Sequence, residues 1–263
     1  MINRYIRLYK ALLRFSMMNF MVYRASFFSN VIAAIGWGIF QIIWIGLLTL
    51  KTTSAFGWSK DELILLAITY TTNIGVFHLL FSRNFDRLSQ IIDKGELDFL
   101  LLKPVDAQFL VTNYSHNYSA LVRIAMGIAF LLFFLTTKSI AVSVLGVVGY
   151  ILLSIFGLVV IYSIWLIYCS LLVWFPRLTN IVEFLYTING MARYPVEMMS
   201  EFKNITVLFI IPFAFTMATP TKALIRNAFD GEVGGLILLT VFLFFLSRTV
   251  WKYSLTHYIS ASS

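Results

Sequence analysis

Residues 140–175 read IAVSVLGVVGYILLSIFGLVVIYSIWLIYCSLLVWF, thirty-six positions without a charged side chain. As one helix they would reach about 54 Å, against a hydrocarbon layer of about 30 Å. That is too long for one upright crossing and too short for two with a turn, so the stretch predicts a single long helix, tilted or protruding. Around it the chain is 60% hydrophobic and 12% charged, with mean hydropathy +0.86. A soluble domain carries roughly 25% charged residues, so this composition predicts an all-α integral membrane protein.

Working outward, Pro176 and Arg177 end the long helix, and residues 178–192 read as a further span interrupted by Glu183. On the N-terminal side, spans are expected at 27–50, 63–82 and 118–136, the third with Arg123 in its first turns. Residues 233–251 make the last of six, with Arg248 near enough to its end to snorkel into headgroups. Residues 195–232 differ: 205–220 is apolar but short and holds Pro212 and Pro220, which predicts a re-entrant or interfacial helical hairpin rather than a seventh span. No separate soluble domain fits, so 1–263 reads as a single domain.

The net charge of +8 belongs to residues flanking apolar runs, a pattern of topology and lipid contact rather than nucleic-acid binding. With six spans, 13 Lys and Arg fall on one side and 7 on the other, with six acids on each. The richer side, holding both termini and residues 83–117, is expected to be cytoplasmic. In residues 1–26, apolar Tyr5, Ile6, Leu8, Leu12, Leu13, Phe15 and Met18 alternate with Arg4, Arg7, Lys10 and Arg14, as in an amphipathic helix on the inner leaflet. The apolar run after them is 24 residues, longer than the ~7–15 of a cleaved signal, so it is expected to be retained.

Catalytic signatures are missing from the sequence: no phosphate-binding glycine loop, no paired metal-binding histidines, no nucleophile elbow. His78, His116 and His257 are far apart, and the lone Cys169 reads as packing. Small residues four apart, Ser29 with Ala33, Ala34 with Gly38 and Ala125 with Ala129, suit close helix approach. Aromatic Phe156, Tyr162, Trp165, Tyr168, Phe184 and Tyr186 read as packing or lipid-facing residues, with a lining for an amphiphile's path as the other reading. Arg123 and Glu183 are the ionisable residues inside spans, each either snorkelling or pairing with the other at an inner gate.

The long loop carries the sharpest pattern. Leu88, Ile91 and Ile92 fall at helical spacing, Gly95 is placed to stop the helix, and Glu96, Leu97, Asp98 and Lys103 follow before Pro104. This predicts a short amphipathic helix with an exposed apolar face, resting on lipid or inserting into a cytoplasmic partner. On the partner reading, Gly95→Pro or Leu97→Asp lowers coupled ATPase activity.

The segments Tyr23-Arg24-Ala25-Ser26-Phe27, Ile92-Asp93-Lys94-Gly95-Glu96-Leu97-Asp98, Leu101-Leu102-Lys103-Pro104, Ala192-Arg193-Tyr194-Pro195 and Ile211-Pro212-Phe213 with Pro220 together resemble the permease subunits of ABC-2 type transporters. The resemblance implies six spans, a cytoplasmic coupling helix between spans two and three, and an external hairpin before span six. It further implies an exporter of the inner (plasma) membrane, powered by a separate ATPase subunit dimer that carries ATP and Mg, with a second permease, identical or paralogous, completing the pathway. The chain itself then binds no cofactor. An ATP-independent channel or secondary transporter is the alternative.

Overall fold

A computed structural model describes residues 2–22, 24–48, 54–138, 140, 142–175, 178, 180–200, 206–227 and 230–258. The helices are α1 (Ile2–Val22), α2 (Arg24–Leu48), α3 (Lys60–Phe77), α4 (Arg83–Asp93), α5 (Asp98–Leu101), α6 (Ala107–Asn113), α7 (Ala120–Thr137), α8 (Val144–Leu171), α9 (Ile181–Met191), α10 (Val196–Ser200), α11 (Thr206–Arg226) and α12 (Gly231–Thr256). A two-residue strand pair, β1 (Ser54–Ala55) and β2 (Trp58–Ser59), turns through Phe56 and Gly57, both at positive φ.

Among the described residues, four helical stretches are long and apolar enough to cross a membrane: Lys60–Ile92, Ala120–Thr137, Val144–Leu171 and Gly231–Thr256. The protein is a multi-pass membrane protein. In α2 the apolar stretch among described side chains is Phe28–Phe40. The expected span at 178–192 is only an 11-residue helix, about 17 Å long, which cannot cross alone. It stops at Ala192, three residues before Pro195, which cannot continue a helix. Pro176, Arg177, Ile205 and the side chains of Tyr23-Arg24-Ala25-Ser26-Phe27 lie outside the described residues.

The uncharged stretch forms a shorter helix than 36 residues allow. Ser143 caps it, its hydroxyl accepting the Gly146 N–H at 2.9 Å, and after Leu171 the N–H groups of 172–175 fold back onto the carbonyls of 169–171. The resulting 28 residues span about 42 Å. This α8 is the axis of the fold. α11 runs antiparallel along it, with Gly146 beside Leu224 and Gly157 beside Thr216; α12 runs parallel, with Thr240 near Phe156 and Trp174 near Tyr253. α3 closes the bundle against α7 and α11, the side chain of Asn73 reaching Met217 and that of Thr69 reaching Thr221.

The two prolines do not interrupt 205–220 as expected; both sit inside α11. A proline supplies no N–H to the carbonyl four residues earlier, which for Pro220 is that of Thr216. That oxygen lies only 2.8 Å from where a Cβ on Gly157 would stand, so glycine lets α8 close over the released carbonyl. Protein thus covers the carbonyl that the proline releases. Small residues also let α7 meet α3, but Ala125 and Ala129 face outward, and the contact is made by Gly127 over Thr72 and by Gly75 under Ile124.

Several charges at the end of the bundle bearing the β1–β2 turn are paired. Lys222 bonds Glu197 at 2.8 Å and Glu232 at 2.7 Å, and Glu197 also accepts the Trp58 indole N–H at 2.7 Å. Arg226 grips Glu62, which itself forms a capping box with Ser59, and Lys138 meets Asp61 at 3.2 Å.

Candidate functional site

The loop element grows directly out of α3. Between Phe77 and Arg83 the helix widens into one π turn, His78–Ser82, and then continues as α4 without a break. A π turn leaves carbonyls misaligned with the normal ladder. Here the following segment takes them up: Asn117 donates its N–H to the Leu79 carbonyl at 3.0 Å, and the Asn84 amide donates to the carbonyls of Leu80, Thr112 and Ser115 at 2.8–2.9 Å. Asn84 also accepts the Ser115 N–H at 2.8 Å, so one buried side chain staples α4 to the strand of chain beyond α6.

α4 ends as Gly95 predicts. Its φ of +69° lets the Gly95 N–H bond the Ile92 carbonyl and the Glu96 N–H bond the Ile91 carbonyl, at 3.1 and 2.9 Å. The expected exposed apolar face is corrected, however. Leu88, Ile91, Ile92 and Leu97 are buried, because α4 packs on α6, α8 and α9 and buries that face in the bundle's own core. What reaches solvent is the next turn: Phe99 is 71% and Leu102 82% exposed, beside exposed Leu101, Glu96, Lys103 and Pro104, with Asp98 half-buried. The side chain of Asp93 lies outside the described residues.

This tip is braced from three directions. Arg4 of α1 donates to the Pro104 carbonyl at 2.8 Å, and α1 lies along residues 104–118 through Tyr5 on Phe109, Tyr9 on His116 and the Tyr118 hydroxyl on the Leu13 carbonyl. Arg248 does not snorkel as expected: its guanidinium forms a paired contact with both oxygens of Asp106, the N-cap of α6, and reaches Gln108 at 2.5 Å. Gln108 then donates to the Tyr162 hydroxyl on α8 at 2.9 Å. Third, Tyr186 of α9 donates to Asp86 at 3.0 Å while stacking on His78, 5.7 Å between centroids.

The hydrogen bonds from Arg248 hold the Asp106 carboxyl below its usual range, outweighing the upward push of partial burial. A carboxyl lowered in the folded state contributes its stability above the unfolded value near ~3.9 and loses it as pH falls. Asp106→Asn is therefore expected to cost about 1 kcal/mol at neutral pH, since both partners are one-third exposed, with the gap in melting temperature closing near pH ~3. A pH-independent gap would mean that the pair adds no charge term.

Arg123 and Glu183 do not pair. Glu183 is exposed on the first turn of α9, whereas Arg123 is turned into the bundle, where it lines a cleft together with Tyr70 and Arg193. The aromatic residues of α8 and α9 mostly pack: Trp165 is fully buried among Phe77, Phe85 and Tyr186, and Phe81 and Phe85 flank Tyr162. Cys169 is fully buried. Among the described residues no three His, Cys, Asp or Glu side chains converge as metal ligands.

Sequence reading missed Asn84, Asp106 and Tyr186 as working parts. Nothing in spacing marks these three, since the partners that tie them to other elements lie 28 or more positions away. The tip was legible as apolar residues beside Lys103-Pro104.

The family model of the ABC-2 family transporter proteins matches residues 35–262, nearly the whole of this helical bundle. The chain belongs to that family. No curated protein matches it. An ABC-2 family membrane domain is a transport component.

Proposed function

We propose that the chain is the permease subunit of an ATP-driven exporter, one domain over residues 1–263 in the inner (plasma) membrane, with both termini cytoplasmic. The loop tip at Phe99, Leu101 and Leu102 docks on a separate ATPase dimer that holds ATP and Mg, and a second permease, identical or paralogous, completes the pathway. The observation that carries this reading is the braced tip. Solvated leucine and phenylalanine cost about 1.5–3 kcal/mol each unless covered, and here they sit on a segment tied to α1, α8, α9 and α12. A merely lipid-resting helix has no need of such ties. Export as the direction rests on the family likeness, and 195–232 is proposed to be the externally closing region, with α10 and α11 as its two helices.

The two earlier variants test different things. Leu97 is fully buried, so Leu97→Asp disrupts the loop itself rather than the contact. Phe99→Asp and Leu102→Asp alter exposed positions, and are expected to abolish co-purification of an ATPase in mild detergent and to reduce ATP hydrolysis at least tenfold, with normal insertion and melting temperature. Unchanged association of either variant would sink the docking assignment. A tagged protein that purifies without any ATPase would favour the channel or secondary transporter instead.

A further inference from the structure

Beside the bundle core lies a cleft of roughly 480 Å³ lined by α2, α3, α7, α9 and the turn after α9, including Trp37, Tyr70, His78, Arg123, Asn189 and Arg193. Its charge is one-sided. Among the described residues no Asp or Glu lines it, and neither arginine has a carboxylate within 4.0 Å. Arg193 lies over the Tyr194 ring at 5.4 Å, and the Nε atoms of Arg123 and Arg193 are buried with no hydrogen-bond partner. Asn189 is 2% exposed, lines the same cleft, and leaves its side-chain oxygen without a partner. Asp86, behind Tyr186, accepts that ring's hydroxyl and forms no ion pair.

Two guanidinium groups facing one space without an anion are costly at membrane depth, and unsatisfied buried donors add to that cost. A planar guanidinium matches phosphate or carboxylate oxygens in pairs. A second crevice, of about 210 Å³, is lined by three of these helices, α2, α3 and α7, at Gly38, Ile64, Ala67, Thr71, Met126 and Phe130, near Trp37, Tyr70 and Arg123 in sequence, and is almost wholly apolar. A charged head and a hydrocarbon tail would each find a matching surface.

We propose that this cleft binds the anionic headgroup, phosphate or carboxylate, of an amphiphile whose hydrocarbon part lies in the second crevice. Arg123 and Arg193 bind the anion, and Trp37 and Tyr70 line the cleft beside them. The site goes beyond the ATP-driven reading and does not depend on it.

The test uses the permease alone, so failure of the ATPase assignment leaves it unaffected. Protein in mild detergent is titrated with phosphatidylglycerol or phosphatidylcholine and bound lipid is counted by native mass spectrometry. Wild-type protein is expected to retain phosphatidylglycerol at least tenfold more tightly than phosphatidylcholine. Arg123→Gln and Arg193→Gln each lose that preference, Arg193→Lys keeps most of it, and Lys252→Gln, an exposed cation outside the cleft, leaves it intact. Equal retention of the two lipids by wild type overturns the proposal without reliance on any variant's folding, as does an unchanged preference in both glutamine variants. Displacement of phosphatidylglycerol by millimolar inorganic phosphate would show that the head alone suffices and support the anion site; persistence against phosphate would support the two-part site.

Discussion

Gly157→Val is expected to lower the melting temperature of the detergent-solubilised protein sharply, equivalent to about 3 kcal/mol or more. A Cβ at this position would stand 2.8 Å from the Thr216 carbonyl oxygen and 3.0 Å from the Thr216 Cβ. Overfilling a packed contact costs about 1–3 kcal/mol when side chains can give way. Here the first obstacle is backbone, and it belongs to the carbonyl that Pro220 leaves without its helical partner, so α8 and α11 must separate along their length. Gly36→Ala is the control: nothing lies within 4 Å of the added methyl, and alanine favours a helix by up to about 1 kcal/mol. Tryptophan fluorescence during heating reads both; an unmoved transition in Gly157→Val would show that these helices are not pressed together.

The second large effect is expected at the opposite kind of contact. Lys222→Met removes the cation between Glu197 and Glu232, whose carboxylates both bond its Nζ within 2.9 Å. Its side chain is only 11% exposed, but the glutamates are 39% and 37% exposed, so water relieves part of the repulsion left behind. A buried pair broken on one side costs about 3–5 kcal/mol, and that exposure reduces the expectation to about 2–3. Burial alone would raise the Glu197 carboxyl, yet bonds from Lys222 and Trp58 bring it below its usual value. Its contribution is therefore complete at neutral pH and fades as pH falls through the carboxylate range. The melting gap between wild type and Lys222→Met should narrow below pH ~4, and adding Glu197→Gln and Glu232→Gln should recover part of the loss at pH 7. A gap that persists at acid pH would assign the cost to packing of the lysine stem.

The helical membrane character was legible because it is a one-dimensional property: runs such as 144–171 carry it regardless of neighbours. The end of α4 was legible for the same reason, since Gly95 acts on carbonyls within four residues. The burial of Leu88, Ile91 and Ile92 was not. Periodicity shows that a helix has an apolar face, and the same stripe suits lipid, a partner subunit or α8. Arg248 failed in the sequence for a related reason. A cation near a span's end reads as snorkelling, and only the fold brings Asp106, 142 positions away, under its guanidinium. Pro212 and Pro220 misled because a kink is only one answer to a missing N–H, and Gly157 on another helix supplies the other. Of the cleft, Arg123 was noticed but read as snorkelling or as a partner of Glu183; Arg193 was seen only within a short motif.

The unbroken course from Lys60 through the π turn to Ile92 also sets the mechanics of the bundle. Thirty-three residues make a rod of roughly 50 Å, reaching from the ion-paired turn at one end to the braced tip at the other. A rod has few ways to yield: held at the Trp58 end, a tilt of about 5° carries its far end by about 4 Å. On the docking proposed above, force applied at the tip would reach the arginine-lined cleft as angular displacement of its wall, which Tyr70, Ile74 and His78 of that rod help to form.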